Sequence, residues 1–402
     1  MVKHPRALYL LPIVSRKMRA RGIRTIVVVA TICVTGVLTA CGSDEPGRAG
    51  LSLEAAQGAA VSSSGAAPSP ATVPFRFFAA TSFWNVPVPA DAPLDPSSSA
   101  VISTFAARVA AEEQADQGPW INTTAYSVPV YTVPAGQPDV RVHLTGTSEP
   151  ALSDAWKAVP LPPTATPATG ADGLLVVWQP STDRLWEFWR LVHKPEGWSA
   201  SWGSAMEHVS SSQGAYSTSA WPGAEPWWGA SASSLSLVGG LISLEDLKLG
   251  QINHALEMAI PDVRSGVYAA PAQRSDGKTA DTLSLPEGAH LRLNPNLNLA
   301  TLHLPRLTLM LAEAAQRYGI FVTDSSATTV FDAQDPTGPE ANPYTGAGGY
   351  FEGQQPNKLL ASFPWNQLEL LKMELRSIAR NRRRRHEVSR RRRAARRGQP
   401  AG

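Results

Sequence analysis

A carboxylate close to indole rings is the feature of this 402-residue sequence with the clearest chemical potential. If residues 184–192 form a β-strand, Glu187 and Trp189 lie on the same face, because side chains alternate between the two faces of a strand. An indole ring can stack on a sugar while a carboxylate binds its hydroxyls or protonates its glycosidic oxygen. We therefore predict that Glu187 is a catalytic acid or base and that Trp189 binds substrate. The alternative is a hairpin whose Trp rings fill the core and whose Glu187 pairs with an Arg.

A second Trp-rich stretch spans residues 198–228 and is interrupted by Gly, Ser and Pro. Such a long aromatic segment with few strand or helix signals is typical of a loop that lines a binding cleft, and it makes Trp227 a candidate substrate-binding residue. The same pattern also fits an irregular segment that its rings attach to the core.

His254 lies between apolar neighbours and is a candidate general acid or base, or else a buried histidine with satisfied hydrogen bonds. Its surroundings contain no HExxH motif, no closely spaced histidine pair and no Asp-rich calcium loop. Nucleophile-elbow, P-loop and dinucleotide fingerprints are missing as well. The sequence therefore predicts neither a metal site nor a cofactor.

Several segments resemble a family of secreted bacterial proteins of unassigned activity: residues 82–85, 172–179, 186–188, 238–256, 286–293 and 315–324. The resemblance covers most of residues 80–325, and it implies export and a common fold but no reaction. The positions that it marks are Trp84, Asn85, Glu187, His254, Arg292, Tyr318 and Asp324.

These marked positions divide into two predicted roles. His254 or Asp324 would be the catalytic partner of Glu187. Trp84, Asn85, Arg292 and Tyr318 would bind substrate. Alternatively, the charged members form a buried ion-pair network that fixes the fold.

The N-terminus predicts export. Residues 1–40 contain seven Lys or Arg and no acidic residue, and a 16-residue uncharged run ends immediately before Cys41. This is typical of a bacterial lipoprotein signal peptide in which Cys41 becomes lipidated, and the start could equally be Met18. An uncleaved anchor helix is the alternative. Because the only other cysteine, Cys33, lies inside the signal, the mature chain can form no internal disulfide.

Charge is distributed unevenly along the rest of the chain. Residues 41–375 carry 17 Lys and Arg against 32 Asp and Glu, whereas residues 376–402 carry twelve Arg and one Glu. We predict a flexible linker at 41–73 and a basic tail that binds anionic lipid headgroups or an envelope polymer through Arg382–Arg397, or that folds back on the acidic body. No nucleic-acid partner is expected, because the net charge of +3 averages an acidic body with a basic tail.

The remaining patterns predict a single, mainly β domain over residues 74–375, sandwich-like or jelly-roll-like, with a few peripheral α-helices. Extended segments recur at 126–133, 140–144, 174–179, 184–192, 266–270 and 289–293. Helical patterns cover 99–116 and 303–318, a capping box begins at Ser243, and a last helix is expected from Pro364.

Together these features predict a lipid-anchored protein outside the cytoplasm that acts on extracellular polysaccharide as a glycoside hydrolase or lyase. Two alternatives remain open: a non-catalytic glycan-binding lipoprotein and a structural protein of the cell envelope. Opposed carboxyl groups across one cleft would favour hydrolysis, whereas Trp rings without opposed acids would favour binding alone.

Overall fold

The structure is a computed structural model, and it describes residues 76–337 and 342–378. The predicted leader, Cys41, the linker and the basic stretch Arg382–Arg397 lie outside these residues. Within the two described ranges, no helix combines the length and the apolar character needed to cross a membrane.

Strands dominate the described chain. The α-helices are α1 (Ser98–Gln114), α2 (Pro150–Ala155), α3 (Leu244–Leu249) and α4 (Arg306–Arg317). The strands are β1 (Trp120–Asn122), β2 (Val128–Thr132), β3 (Val142–Leu144), β4 (Leu175–Gln179), β5 (Arg184–Trp189), β6 (Val192–Lys194), β7 (Gly197–Ala200), β8 (Trp202–Glu207), β9 (Leu256–Ile260), β10 (Val267–Ala269), β11 (His290–Leu293), β12 (Ile320–Ser325), β13 (Val330–Asp332), β14 (Gln334–Asp335), β15 (Leu368–Leu370) and β16 (Leu375–Ser377). The prediction of a mainly β domain with a few helices is confirmed.

Each of the six predicted extended segments contains a strand, and the two longer predicted helices correspond to α1 and α4. The helix expected from Pro364 is wrong over the residues that the structure describes. Leu368 and Leu370 are buried on either side of the half-buried Glu369, so this segment alternates with the period of two that a strand requires. It forms β15, and the chain then continues into β16.

Two mixed sheets organise these strands. The first has six strands in the order β1, β13, β9, β12, β11, β15, and the second has five in the order β14, β2, β4, β5, β8. Parallel pairing joins β9 to β12 and β1 to β13, whereas β4, β5 and β8 pair as an antiparallel meander. A three-stranded sheet (β3, β7, β6) and the β10–β16 ribbon complete the fold.

Two clusters of apolar side chains stabilise the sheets. One contains the buried residues of β4, β5 and β8 and most of the tryptophans, and the other contains the buried residues of β9, β11, α1 and α4. Helix α4 fits this role because Leu307, Met310, Leu311 and Ala314 recur at helical spacing and are all buried.

The helix ends follow local sequence rules. Ser243 and Asp246 form the predicted capping box at the start of α3, each side chain accepting a backbone N–H of the other. Beyond α4, Gly319 adopts a φ of +86°, a left-handed conformation that glycine takes without steric penalty.

Trp84 packs between strand β12 and the cluster of apolar side chains that contains most of the tryptophans. Its side chain is fully buried, and its ring lies edge-on to the ring of Phe321 with centroids 5.1 Å apart. A β-carbon on Gly239 would lie 2.2 Å from the indole, so only glycine permits this close approach. Trp84 is therefore a packing residue.

We expect Trp84→Ala to lower the free energy of unfolding by about 3–5 kcal/mol, because it removes a large buried ring and leaves a cavity. Denaturant unfolding followed by circular dichroism measures this loss. Val86→Ala is the control, because Val86 is 44% exposed and its truncation should change stability by no more than about 0.5 kcal/mol. Equal effects of the two substitutions would contradict the packing role.

Candidate functional site

A cavity of about 950 Å³ opens where the two large sheets meet. Strands β1, β9, β12 and β13 of the six-stranded sheet supply one part of its lining, and the neighbouring ends of β5 and β8 supply another. Its volume falls within the range typical of small-molecule sites, about 300–1,000 Å³.

Aromatic rings form part of the lining of this cavity. Trp189 and Trp202 are register partners at the ends of β5 and β8, and Trp120 and Tyr126 lie elsewhere on the lining. The indole N–H of Trp189 donates a hydrogen bond of 2.9 Å to Asp172, which fixes the ring. A half-buried indole held in this way can stack on a sugar ring.

Carboxyl groups give the cavity its chemical character. The acidic side chains on the lining are Asp172, Glu257, Asp276, Asp324 and Asp332. The basic side chain among the lining residues is Arg274, whose Nη2 donates to the backbone oxygens of Gly229 and Ser231. The cavity is therefore strongly acidic.

Glu257 projects from the middle of β9 and is 3% exposed. Gly240 packs directly against this strand, and only glycine permits the contact, because a β-carbon on Gly240 would lie 2.3 Å from the Glu257 nitrogen. Glu257 Oε1 accepts no hydrogen bond from any described residue. Burial, and then the nearby Asp332, Glu187 and Asp324, raise the pKa of Glu257 well above its usual value, which favours the protonated form of this side chain.

Asp332 lies at the end of β13, beside Asn122 of β1 in the parallel register. The Asn122 amide donates to Asp332 Oδ1 over 3.2 Å. Burial raises the pKa of Asp332 to about 7, against the effect of that hydrogen bond and with a smaller contribution from Asp324 and Asp172. Asp332 therefore exchanges a proton readily near neutral pH.

Asp324 owes its position to a β-bulge. The β9–β12 register shifts between Val322 and Asp324, so that Thr323 is the additional residue. The Asp324 carboxylate accepts the backbone N–H groups of Ala232 and Ser325 at 2.8 and 2.7 Å. Burial raises its pKa to about 7, although both hydrogen bonds oppose the shift.

Of the residues predicted as catalytic, Asp324 lines the cavity and the other two do not. Glu187 is fully buried, and it accepts hydrogen bonds from Ser236, from Ser204 over 3.3 Å and from the Leu237 N–H over 2.9 Å. The alternative given for Glu187 was a pairing with an Arg. Its partners are instead hydroxyl and amide donors.

His254 is buried beside Asp246, with 3.1 Å between Nε2 and the carboxylate, and its Nδ1 lies 2.8 Å from the Ala255 oxygen. Burial alone would lower the pKa of His254, but Asp246 and the Ala255 carbonyl raise it overall. This environment fits the alternative of a satisfied buried histidine.

The predicted substrate-binding residues divide in the same way, since Trp189 lines the cavity and Trp84 packs in the core. Asn85 donates to the Phe78 and Ala79 oxygens. Arg292 pairs with Glu369 over 2.8 Å.

The last two predicted substrate-binding residues also lie apart from the cavity lining. Tyr318 is 1% exposed, and the Arg317 guanidinium lies 5.1 Å from its ring centroid. Trp227 donates a 3.4 Å hydrogen bond to Glu149.

Sequence reasoning missed several cavity residues. Glu257 stands in the apolar run Leu256–Ile260, and a charged residue inside a strand that is buried on both faces is itself a functional signal. Trp202 pairs with Trp189 across β5 and β8, but β6 and β7 of another sheet lie between these strands in the chain, so no local pattern indicated this pairing. Asp276 and Asp332 carry no local motif.

Comparison of the chain with protein-family models, with curated proteins and with solved structures gives no match. The resemblance described above therefore stays a prediction, and the cavity chemistry is the basis for a functional proposal.

We expect the free energy of unfolding of Asp332→Asn to increase relative to that of the parent as the pH rises from about 4 to about 7. The folded state raises the pKa of Asp332 from 3.8 to about 7, so the parent loses stability over this interval as the unfolded chain releases the proton first. The difference should reach about 1–4 kcal/mol above pH 7.

Urea unfolding at pH 4, 5.5, 7 and 8 measures this difference. The matched control is Asp91→Asn, because Asp91 is exposed and its substitution should give a difference that is small at every pH. A constant difference between Asp332→Asn and the parent from pH 4 to 8 would contradict the raised pKa.

Proposed function

We propose that this protein is a glycoside hydrolase whose active site is the acidic, aromatic-lined cavity. The observation that carries the proposal is that one cavity, which also presents Trp189 and Trp202, is lined by two differently placed acids: the buried Glu257, whose pKa is raised well above its usual value, and Asp332, whose pKa is raised to about 7. Glycoside hydrolysis needs one protonated and one ionised carboxyl group, and different environments on one site provide both.

The two carboxyl groups take separate steps. Glu257 donates its proton to the glycosidic oxygen, so that the leaving group departs as an alcohol. The Asp332 carboxylate either removes a proton from the attacking water, or attacks the anomeric carbon itself and forms a covalent bond to the sugar. In the second case the Glu257 carboxylate removes a proton from the water that then breaks this bond, and the configuration of the released sugar distinguishes the two routes. Trp189 and Trp202 hold the sugar ring by stacking.

The charge of the cavity favours hydrolysis over lyase chemistry. A polysaccharide lyase acts on uronic acid units, and without a bound cation their carboxylates would approach Asp172, Asp276, Asp324 and Asp332 on this lining. The arginine of the lining, Arg274, already donates to backbone oxygens. We therefore propose a neutral glycan or an amino-sugar glycan as substrate.

The test is a screen of the full chain against soluble neutral, amino-sugar and uronic-acid polysaccharides for new reducing ends. We expect Glu257→Gln and Asp332→Asn each to lower kcat/KM by about 10²–10⁴-fold, because each removes a proton-transfer group or a nucleophile. For the parent, kcat/KM should rise as the pH passes about 7, where Asp332 ionises, and fall at higher pH as Glu257 loses its proton.

Glu313→Gln is the matched control, because Glu313 is exposed on α4 and lies outside the cavity lining. Glu187→Gln tests whether the other buried glutamate, Glu187, is needed for activity in place of Glu257. Full activity of Glu257→Gln, together with loss of activity in Glu187→Gln, would refute the assignment. Cleavage with unsaturated products would refute hydrolysis.

Non-catalytic glycan binding is a second candidate, and the facing register of Trp189 and Trp202 favours it independently of the acids. A soluble glycan that binds the parent, fails to bind Trp202→Ala and is never cleaved would establish this alternative. Circular dichroism of Trp202→Ala checks that the loss is not due to unfolding.

We also propose that the protein acts outside the cytoplasm as a lipoprotein anchored through Cys41, with Arg382–Arg397 contacting anionic headgroups or an envelope polymer. The proposal is supported by the basic, acid-free leader that ends in Cys41. Mass spectrometry of the protein expressed in a bacterium should find a diacylated Cys41 as the first residue. Cys41→Ser should abolish membrane recovery, and an unmodified thiol in the parent would contradict the anchor.

A further inference from the structure

Three carboxylates meet at one wall of the cavity. One oxygen from each of Asp276, Glu287 and Asp324 lies within 4.8 Å of the other two. Asp276 and Asp324 belong to the cavity lining, whereas Glu287 lies outside it and is fully buried. The three groups therefore form a cluster that is closed on the protein side and accessible from the cavity.

Backbone hydrogen bonds fix the buried member of this cluster. The Ala269 N–H donates to the Glu287 carbonyl over 2.8 Å, and the Gly288 N–H donates to Val322 of β12 over 2.7 Å. Gly288 has a φ of +82°, and a β-carbon there would lie 1.8 Å from the Ala269 oxygen. The fold thus places Glu287 against β12 and allows little adjustment of its backbone.

Glu287 also has an unsatisfied oxygen. Its Oε2 accepts the Asp276 N–H over 3.1 Å, but its buried Oε1 accepts no hydrogen bond from the described part of the chain. Burial raises the pKa of Glu287 to about 9, which a hydrogen bond from Ser275 opposes and the repulsion of Asp324 and Asp276 increases. A buried acceptor without a donor calls for an explanation such as a bound proton, an ordered water molecule or a cation.

From this geometry we propose that Asp276, Glu287 and Asp324 bind a hard divalent cation, with Ca²⁺ as the best-suited ion. All three donors are carboxylate oxygens, which calcium, magnesium and manganese prefer, whereas zinc sites normally use histidine or cysteine. Each Asp324 oxygen accepts one backbone N–H and keeps a second lone pair for a ligand bond. Calcium tolerates irregular coordination that water molecules complete.

The bound cation would change what the cavity can hold. Its two positive charges offset part of the charge of the three acids and reduce their mutual repulsion, and the exposed Asp276 and the half-buried Asp324 leave the cation accessible from the cavity. Sugar hydroxyls could then complete its coordination from the cavity side. The site needs neither Glu257 nor Asp332, so it stands independently of hydrolysis.

Isothermal titration of the chelator-treated full chain with CaCl₂ tests the proposal, with MgCl₂, MnCl₂ and ZnCl₂ in parallel. We expect one Ca²⁺ site and a rise in Tm on addition of Ca²⁺. Glu287→Gln and Asp276→Asn should each weaken binding by about tenfold or more, because the loss of even an outer-shell partner costs about 10–100-fold. The matched control Glu313→Gln should bind as the parent does.

Asp276 is exposed, so its variant tests the site even if Glu287→Gln fails to fold. Binding of Mg²⁺ or Mn²⁺ that both variants weaken also supports the hard-cation site. No binding of any of the four ions, binding of Zn²⁺ alone, or Ca²⁺ binding that neither variant weakens would overturn it. Glu257→Gln should abolish hydrolysis and keep Ca²⁺ binding, so the failure of one proposal is distinguishable from the failure of the other.

Discussion

Burial of several carboxyl groups around one cavity is the constraint on which the chemistry of this protein depends. For Glu257, Glu287, Asp324 and Asp332, loss of water is the largest cause of the raised pKa, and repulsion between neighbouring acids adds to it. These acids cannot all ionise together at neutral pH without a large electrostatic penalty. Their charge has to be reduced by bound protons, by a bound cation, or by both.

The topology explains why these acids come together. Strands β13, β9 and β12 are adjacent in the six-stranded sheet, and each contributes one acid to the cavity lining. The bulge at Thr323 shifts the register so that Asp324 lies opposite Ala259. The indole of Trp84 then packs on Phe321 of β12 and connects this sheet to the cluster that contains β5 and β8. The acids of these three strands and the Trp189–Trp202 pair thereby line one cavity.

Much of the fold was predictable because it depends on short-range patterns. Alternation identified the strands that contain Glu187 and Arg292, and the capping residues Ser243 and Asp246 identified the start of α3. The helix predicted from Pro364 was wrong because a few apolar residues with short spacing fit a helix or a strand equally well. Its strand partner, β11, lies more than seventy residues earlier in the chain, which no local pattern can show.

The site was predictable only in part, because strand alternation gives the face of a residue but not what covers that face. Glu187 and Trp189 share a face of β5, yet Ser236 and Leu237 cover the first and the cavity borders the second. Trp189 was therefore found from sequence, and so was Asp324 through the family resemblance. Glu257 was not found, because the four other residues of its strand are apolar and together indicate a core strand. The charged residue inside this run was the signal that was overlooked. Long-range pairing alone brings it to the cavity.

A proton on Glu257 and the proposed cation at Glu287 would each reduce the repulsion between buried acids, in two neighbouring places. A cation at Asp276, Glu287 and Asp324 would remove the repulsion that Asp324 exerts on Glu257 and Asp332. Burial, the larger cause of both raised pKa values, would remain, and so would the mutual repulsion of Glu257 and Asp332. The protonated form of Glu257 would thus stay favoured by burial, whereas Asp332, whose pKa is raised to about 7, would ionise more readily. Cation binding and acid catalysis are therefore compatible in one cavity, and the first would sharpen the difference in protonation on which the second depends.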